Sequence, residues 1–258
     1  MNYALITGAS KGIGKAIAEE LASRNINVLL IARSTSLLQE LSDMLKIKYR
    51  VDACFFAIDL SEKDATQKII QWCKLNNYSV NILVNNAGYG LSGKFENYSI
   101  HDYANNMQVN MSVPVELCHA FLPDFHKLPR AYILNICSTA AFQAVPGLSV
   151  YAASKSFLLS FSRALNYELR KTRISVTAVS PGTTDTDFAN RANVGAKALK
   201  AGKKMNMKPG VVARMAVTAM FKGKTEITTG FMNKLGGFLA WLFPKRIAEN
   251  IGGNIYEV

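Results

Sequence analysis

The sequence has few cysteines, few acidic residues and no long apolar run, and each shortage excludes a class of protein. Only four cysteines occur among 258 residues. They form no CxxC pair and each falls in a predicted strand or helix, so a disulfide framework and a zinc site both lack support. No apolar run reaches the roughly 18 residues that a membrane span needs. Because the first strand begins by Tyr3, we expect no signal peptide and a cytoplasmic location.

Acidic residues are absent from one segment in particular. The chain has 30 Lys and Arg against 18 Asp and Glu, a formal charge of +12. The stretch from Phe188 to Thr225 has no acidic residue and contains nine basic ones: Arg191, Lys197, Lys200, Lys203, Lys204, Lys208, Arg214, Lys222 and Lys224. Such a segment can meet nucleic acid, anionic lipid or an acidic substrate, or it can be a solvated face. We favour the solvated face and expect no nucleic-acid partner.

Apolar runs alternate with amphipathic stretches along most of the chain. Strands are predicted at 3–6, 27–32, 51–58, 81–84, 131–137 and 174–179. Helices lie between them, one of them opened by a capping box of Ser61 and Asp64 and another interrupted near Pro114. This alternation predicts an α/β fold with a doubly wound parallel sheet and helices on both faces. At 258 residues, we expect one domain.

A glycine-rich turn follows the first strand and precedes a helix. It reads Thr7-Gly8-Ala9-Ser10-Lys11-Gly12-Ile13-Gly14. Glycines let the backbone approach a pyrophosphate, and the amino end of a helix supplies free N–H groups and positive dipole. Because the spacing is not the common GxGxxG, a plain tight turn remains the alternative.

The end of the second strand indicates which dinucleotide would bind. An acidic residue about 20 positions beyond the glycines holds a ribose 2′-hydroxyl, whereas a basic residue accommodates a 2′-phosphate. Ala32 and Arg33 stand there. Together with Lys11 in the glycine turn, they favour NADP over NAD. The alternative is that Arg33 is an ordinary loop cation.

Three polar side chains form a candidate catalytic group. Ser138 ends a buried strand, whose carboxyl end faces the ligand crevice in such folds. Tyr151 and Lys155 are four residues apart in a predicted helix running to Arg170, so they share one face. An ammonium within about 4 to 6 Å can lower a phenol pKa by about 1 to 3 pH units. We predict that Lys155 tunes Tyr151, which exchanges a proton with an oxygen held by Ser138. An ordinary surface pair is the alternative.

Taken in order, these motifs resemble the short-chain dehydrogenase/reductase family. Its TGxxxGxG pattern stands here as TGASKGIG, its NNAG at 85–88, its Asn at Asn110, its Ser at Ser138, its YxxxK at Tyr151 and Lys155, and its PG turn at 181–182. The resemblance runs from Tyr3 to about Val179, with loop correspondence to Thr186. It implies an NADPH-dependent oxidoreductase that interconverts a ketone or aldehyde and a secondary alcohol.

The same resemblance implies a set of site residues. Asn110, Ser138, Tyr151 and Lys155 would be catalytic, with Asn110 anchoring a water that links Lys155 to solvent. Asp59 and Leu60 would flank the adenine and Asn86 would lie near its ribose. The cofactor-binding residues that we expect are Gly8, Ser10, Lys11, Gly12, Ile13, Gly14, Arg33, Asp59, Leu60, Asn86, Ala87, Gly88, Tyr151, Lys155, Pro181, Gly182, Thr184 and Thr186. No metal is expected.

The carboxyl-terminal part departs from many members of that family. Thr229-Gly230 is followed by Phe-Met-Asn-Lys-Leu rather than by a VDGG segment, and the tail resembles the branch of hydroxysteroid dehydrogenases and 3-ketoacyl-CoA reductases. We interpret 183–208 as a substrate lid and 230–258 as an apolar tail. For the tail we favour pocket closure and packing over contact with a membrane surface. A lid that is apolar inside and cationic outside favours a lipophilic ketone, such as a steroid or a 3-ketoacyl thioester.

The Tyr151 helix has more apolar residues than packing on one sheet requires. They are Phe157, Leu158, Leu159, Phe161, Ala164, Leu165 and Leu169. A symmetric dimer through this helix and the one at 112–128 would cover them. Two other functions remain open: a non-catalytic regulator that binds NADP(H), and a peripheral membrane-associated reductase that uses the basic segment 188–225.

Overall fold

The computed structural model of the protein describes residues 2–203 and 206–256. Seven strands in these residues form one sheet: β1 Asn2–Thr7, β2 Asn27–Ala32, β3 Ala53–Ala57, β4 Ser79–Asn85, β5 Ala131–Ile136, β6 Ile174–Ser180 and β7 Glu226–Thr228. All neighbouring strands are parallel, in the order β3-β2-β1-β4-β5-β6-β7. The winding direction reverses between β1 and β4, so the predicted doubly wound sheet is confirmed.

Helices connect the strands and cover the sheet. They are α1 Gly12–Ala22, α2 Thr35–Tyr49, α3 Ala65–Leu75, α4 Ile100–Met107, α5 Val113–Phe125, α6 Ser149–Glu168, α7 Phe188–Arg191, α8 Ala196–Lys203, α9 Pro209–Phe221, α10 Phe231–Leu242 and α11 Lys245–Tyr256. Short 3₁₀ turns lie at Phe95–Asn97 and Thr139–Phe142. None of the described helices is long and apolar enough to cross a membrane. Lys204 and Met205, which the predicted lid includes, lie outside the described residues.

The core lies on both faces of the sheet, which is why the strands are largely apolar on both sides. Along β1, Ala4 and Ile6 pack in the cluster under α1, α2 and α9. Tyr3 and Leu5 pack in the opposite cluster, under α3, α5 and the end of α6. Side chains of a strand alternate between faces, so helices on both faces favour apolar residues at most positions.

The structure overturns one sequence prediction about local structure, gives the exact place of a second and adds a short strand that was missed. Ser61 does not cap α3, because its hydroxyl and its N–H both donate to the Asp59 carboxylate. Asp64 stands at the N-cap of α3 without a side-chain hydrogen bond. The helical break lies in a π turn at Gln108–Ser112, while Pro114 occupies the first turn of α5, where a missing N–H costs nothing. The three-residue β7 was missed because it is too short to show a periodic pattern.

Candidate active site

The glycine turn suits a pyrophosphate because its backbone conformation and close packing leave no room for side chains. Gly8 and Gly12 have φ of +66° and +57°, a conformation that L residues rarely adopt. A Cβ on Gly14 would collide with the Gly8 carbonyl and the Asn86 amide. The amino end of α1 opens at this turn, with Lys11 at its N-cap. In other proteins, the free N–H groups and the dipole of a helix amino end bind phosphate oxygens.

The loop after β4 is hydrogen-bonded to the glycine turn. Asn86 donates from its side chain to the carbonyls of Thr7 and Gly8, at 2.9 and 3.2 Å. The Thr7 hydroxyl accepts from the backbone N–H groups of Asn86 and Ala87, at 3.0 and 3.1 Å. Asn86 was expected beside the adenine ribose, and that contact stays a prediction. Its amide is used to hold the shape of the glycine turn.

Both cations that were predicted to select the 2′-phosphate form exposed ion pairs. Arg33 lies 3.5 Å from Asp59, and Lys11 lies 3.3 Å from Asp187. Burial opposes ionisation of Asp59, but hydrogen bonds from Ser61 and the Arg33 charge outweigh it and lower the pKa of its carboxyl. Exposed pairs of this kind contribute about 1 kcal/mol or less. Either cation can therefore exchange its carboxylate for a phosphate at small cost.

Leu60 and Ile13 are expected cofactor residues whose side chains pack in the protein. Leu60 is buried in the core cluster that lies under α3. Ile13 packs against the cluster on the opposite face. Their contacts with a dinucleotide would therefore depend on the backbone.

The structure brings Ser138, Tyr151 and Lys155 together at the carboxyl end of β5. Ser138 follows that strand and begins a 3₁₀ turn, with its hydroxyl accepting from the Ala140 N–H at 3.1 Å. Tyr151 and Lys155 lie in the first two turns of α6 and are buried. The Lys155 ammonium donates to the carbonyl of Ile136 at 2.9 Å and lies 5.9 Å from the centre of the Tyr151 ring.

The expected effect of Lys155 on the pKa of Tyr151 is not found. Burial raises the pKa of Tyr151 to about 12, against a smaller lowering by the neighbouring Ser138 hydroxyl. Burial also lowers the pKa of Lys155. The prediction is wrong because both groups lie in apolar surroundings that disfavour their charged forms. The phenol is therefore neutral at pH 7, which is the form that donates a proton.

Asn110 is placed by the π turn that separates α4 from α5. Its side-chain nitrogen donates to the Tyr89 carbonyl at 3.0 Å and to the Ser154 hydroxyl at 3.1 Å, and its oxygen accepts from the Tyr89 N–H at 3.1 Å. A Cβ on Gly88 would lie 3.1 Å from both the Asn110 oxygen and the Lys155 nitrogen. Asn110 and Lys155 therefore converge beside Gly88. Single π turns in α-helices are frequent at functional sites.

The loop after β6 lies between the glycine turn and the tail. The Pro181 carbonyl accepts from the Thr139 N–H at 2.9 Å, which ties this loop to the 3₁₀ turn after Ser138. The Asn233 side chain fills the space above Gly182, where a Cβ would collide with it. Thr184 donates to the Gly182 carbonyl at 3.1 Å. Further along, a Cβ on Gly12 would lie 3.0 Å from the Thr186 methyl.

Two aromatic residues pack beside Tyr151 of the candidate catalytic group. The Phe188 ring lies 5.2 Å from the Tyr151 ring, centre to centre. Tyr256, near the end of α11, packs on the same small cluster as Tyr151 and Phe188. Sequence reasoning placed Phe188 in the lid and described the tail as apolar, but it did not identify Tyr256. Tyr256 is far from Tyr151 in sequence, so no local pattern indicated that the two residues pack on one cluster.

A buried polar network behind the site was also missed. Asn85 donates to the Asn135 oxygen at 2.9 Å, and Asn135 donates to the Ser162 hydroxyl at 2.8 Å. These three residues join β4, β5 and α6. Asn135 lies inside an apolar run, and a polar residue there is the signal that would have indicated a partner.

The comparisons with known proteins agree with this geometry. Residues 2–197 match the family model of the short chain dehydrogenases. A hydroxysteroid dehydrogenase-like protein of Gallus gallus is 35% identical over 198 residues, covering 76% of this chain and 59% of that protein. A 7β-hydroxysteroid dehydrogenase structure superposes with a TM-score of 0.88 at 21% identity, covering 98% of this chain and 96% of the other.

A solved structure of higher identity contains a cofactor. The short-chain dehydrogenase of Sphingobium yanoikuyae, in complex with NADPH, is 27% identical with a TM-score of 0.82, covering 94% of this chain and 95% of the other. The family model covers well over half of the chain. With the sheet order, the glycine turn and the grouped Ser138, Tyr151 and Lys155 in agreement, the chain belongs to the short-chain dehydrogenase family.

Proposed function

We propose that the protein interconverts a lipophilic ketone and the corresponding secondary alcohol, or an aldehyde and its primary alcohol, with NADPH as the hydride donor. This proposal rests on one observation: Ser138, Tyr151 and Lys155 lie close together at the carboxyl end of β5. The glycine turn lies at the same edge of the sheet, since β1 and β5 are parallel members of one sheet. This edge is where open α/β sheets bind ligands.

The bound NADPH would supply a hydride to the carbonyl carbon. Tyr151 donates its proton to the carbonyl oxygen, and Ser138 donates a hydrogen bond to the same oxygen and holds it in position. Because burial keeps the Tyr151 phenol neutral at pH 7, the proton is present when the substrate binds. In the reverse direction Tyr151 accepts the proton of the alcohol. Proton transfer by a positioned side chain typically contributes about 10² to 10⁴-fold in rate.

Tyr151 regains its proton from solvent through a water held by Asn110 and through Lys155. The Lys155 ammonium lies on the same helix face as the phenol, and it converges with Asn110 beside Gly88. Lys155 also bonds the nicotinamide ribose in this proposal. Asn110 is held by three hydrogen bonds to Tyr89 and Ser154, so it can keep a water in place between Lys155 and solvent.

The proposed substrate is lipophilic because apolar side chains surround Tyr151. Phe188, Val145, Leu148 and Tyr256 form one cluster with it. The hydroxysteroid dehydrogenase-like relative and the 7β-hydroxysteroid dehydrogenase neighbour are named for a substrate of this class. A steroid or a 3-ketoacyl thioester would place its apolar part against this cluster and its carbonyl at Tyr151.

Ketone size should control the Michaelis constant. In a series of 2-ketones with NADPH oxidation as the readout, we expect KM to fall by roughly three- to fourfold for each buried methylene, since each contributes about 0.8 kcal/mol. The variant Phe188→Ala should make KM depend less on chain length, because it removes part of the apolar cluster around Tyr151. Exposed Phe95 offers the matched control Phe95→Ala. Higher efficiency with small polar ketones or sugars than with every lipophilic ketone would contradict the proposed substrate.

We further propose a symmetric dimer through α5 and α6. Phe157 and Tyr167 are exposed on the outer face of α6, and the Phe157 ring stacks on Phe161. Light scattering at micromolar concentration should give the mass of two chains, and Ala164→Arg should give the mass of one, because it places a charge in the contact. The control Ile47→Arg changes an exposed residue of α2 and should leave the mass unchanged. A monomeric parent protein would disprove the dimer.

A further inference from the structure

Helix α10 packs on the protein through its small and polar residues. Asn233 is the buried residue of this helix, and it donates to the Thr229 carbonyl at 2.7 Å while filling the space above Gly182. One turn further on, a Cβ on Gly237 would lie 3.0 Å from the Phe142 ring. The inward face is therefore narrow and close to the body of the protein. No large apolar side chain is needed to hold it there.

The large apolar side chains of α10 point the other way. Phe231 is 78% exposed, Phe238 55% and Trp241 72%. Met232, Leu235, Leu239, Leu242 and Phe243 are exposed with them, and Ile247 and Ile251 continue the apolar surface onto α11. An amphipathic helix on a water-soluble surface buries its large apolar side chains, so this arrangement is inverted. A contiguous apolar patch of this kind indicates an interaction site.

Cations surround this apolar surface. Lys234 is exposed on α10, and Lys245 and Arg246 are exposed at the start of α11. Helix α11 contacts both α10 and α8, and α8 presents the exposed Lys197 and Lys200 of the basic segment. The residues from 188 to 246 contain one acidic residue, Glu226. The apolar helix therefore lies in the most cationic part of the chain.

We propose that the outer face of α10 and the start of α11 dock on an anionic lipid bilayer. The apolar side chains would enter the boundary between headgroups and acyl chains, with Trp241 and the phenylalanines at the interface that such rings prefer. The cations would pair with anionic headgroups, each strengthening binding by about fivefold near such a surface. At 12 residues, α10 lies in the interface rather than spanning the bilayer.

Charge argues against a second copy of the chain as the occupant. A symmetric contact brings the same patch of both copies together. The three cations Lys234, Lys245 and Arg246 of one copy would then be brought up against the same three cations of the other, and Glu249 is the one acidic residue of α11. Like charges placed together at an interface cost free energy. An anionic surface instead neutralises all three cations.

The test is co-sedimentation of the full chain with vesicles. One set is phosphatidylcholine, and the other is an equimolar mixture of phosphatidylcholine and phosphatidylglycerol. We expect sedimentation with the mixed vesicles and a blue shift of tryptophan emission that Trp241→Phe removes. The second tryptophan, Trp72, stacks on Phe56 in the core and does not report on this surface.

Two pairs of variants separate the apolar and the electrostatic contributions. The variant Phe238→Gln with Leu242→Gln should weaken binding by about tenfold or more, since the burial of two large side chains is lost. Its control is Ile47→Gln with Leu75→Gln, which changes two apolar residues of α2 and α3 that are even more exposed. The variant Lys234→Gln with Arg246→Gln should weaken binding to the mixed vesicles by about thirtyfold and reduce the preference for anionic vesicles. Its control is Lys63→Gln with Lys74→Gln.

The outcomes decide the proposal without reference to catalysis. Unchanged thermal unfolding of the four double variants would show that each is folded. Failure of the parent protein to bind mixed vesicles would overturn the proposal, as would equal binding by the α10 variant and its control. If the parent does not bind vesicles and the α10 variant has a smaller mass by light scattering, the face is an interface between copies. None of these results depends on NADPH or on ketone turnover, so the proposed reductase activity is tested separately.

Discussion

Replacing Tyr151 with Phe should lower kcat by about 10² to 10⁴-fold while leaving NADPH binding and the fold unchanged. The substitution removes the proton donor and keeps the ring that packs against Phe188. Stopped-flow or steady-state NADPH oxidation measures turnover, and quenching or enhancement of nicotinamide fluorescence measures cofactor affinity. Tyr167→Phe is the matched control, because it removes a phenol from an exposed position on the same helix.

A variant of Lys155 separates the two roles assigned to that residue. Lys155→Met should weaken NADPH binding as well as turnover, because the ammonium is proposed both to bond the nicotinamide ribose and to complete the proton path. Near-parent reduction of a good substrate by Tyr151→Phe would show that another group donates the proton. Parent-like NADPH binding with no turnover of any ketone would instead favour the regulator that binds NADP(H) without catalysis.

Replacing Arg33 with Ala should weaken NADPH binding by about 10 to 150-fold and barely change NADH binding. A hydrogen bond between charged groups contributes about 1.5 to 3 kcal/mol, and NADH lacks the 2′-phosphate that Arg33 would contact. The Arg33–Asp59 pair is half exposed, so its loss has little effect on stability. Titrations of both cofactors against the parent and the variant provide the measurement.

Lys127→Ala is the control for the Arg33 variant. It removes an exposed cation that also pairs with an aspartate, at 2.7 Å, but it lies after the end of α5, away from the glycine turn. Both cofactors should bind this control as they bind the parent. Equal affinities of the parent protein for NADPH and NADH would remove the basis for the proposed NADP preference.

The parallel sheet was predictable because its signals are local. Short apolar runs with β-branched residues, separated by helical patterns, define β1 to β6 without any knowledge of distant contacts. The glycine turn is equally local, since the positive φ of Gly8 and Gly12 is a property of those residues. The spacing of Tyr151 and Lys155 places them on one helix face, and the structure keeps them there.

The electrostatics of the site could not be predicted in this way. Proximity of an ammonium to a phenol lowers the pKa of the phenol in water. Tyr151 is buried, however, and desolvation raises its pKa instead. The ion pairs of Arg33 with Asp59 and of Lys11 with Asp187 join residues that are 26 and 176 positions apart. No local sequence pattern indicates an ion pair between residues so far apart. The same holds for the π turn that orients Asn110.

The sequence alone determined the doubly wound sheet and the position of the glycine turn, because both depend on backbone preference and short spacing. It predicted, partly through the family resemblance, the residues that could act on a carbonyl. Tertiary structure alone decided what covers Tyr151 and which way α10 faces. Phe188 and Tyr256 reach Tyr151 from two segments that are far apart along the chain. The apolar pattern of α10 is the same whichever face is buried. It is the close packing of Asn233 and Gly237 against Gly182 and Phe142 that turns its aromatic side outward.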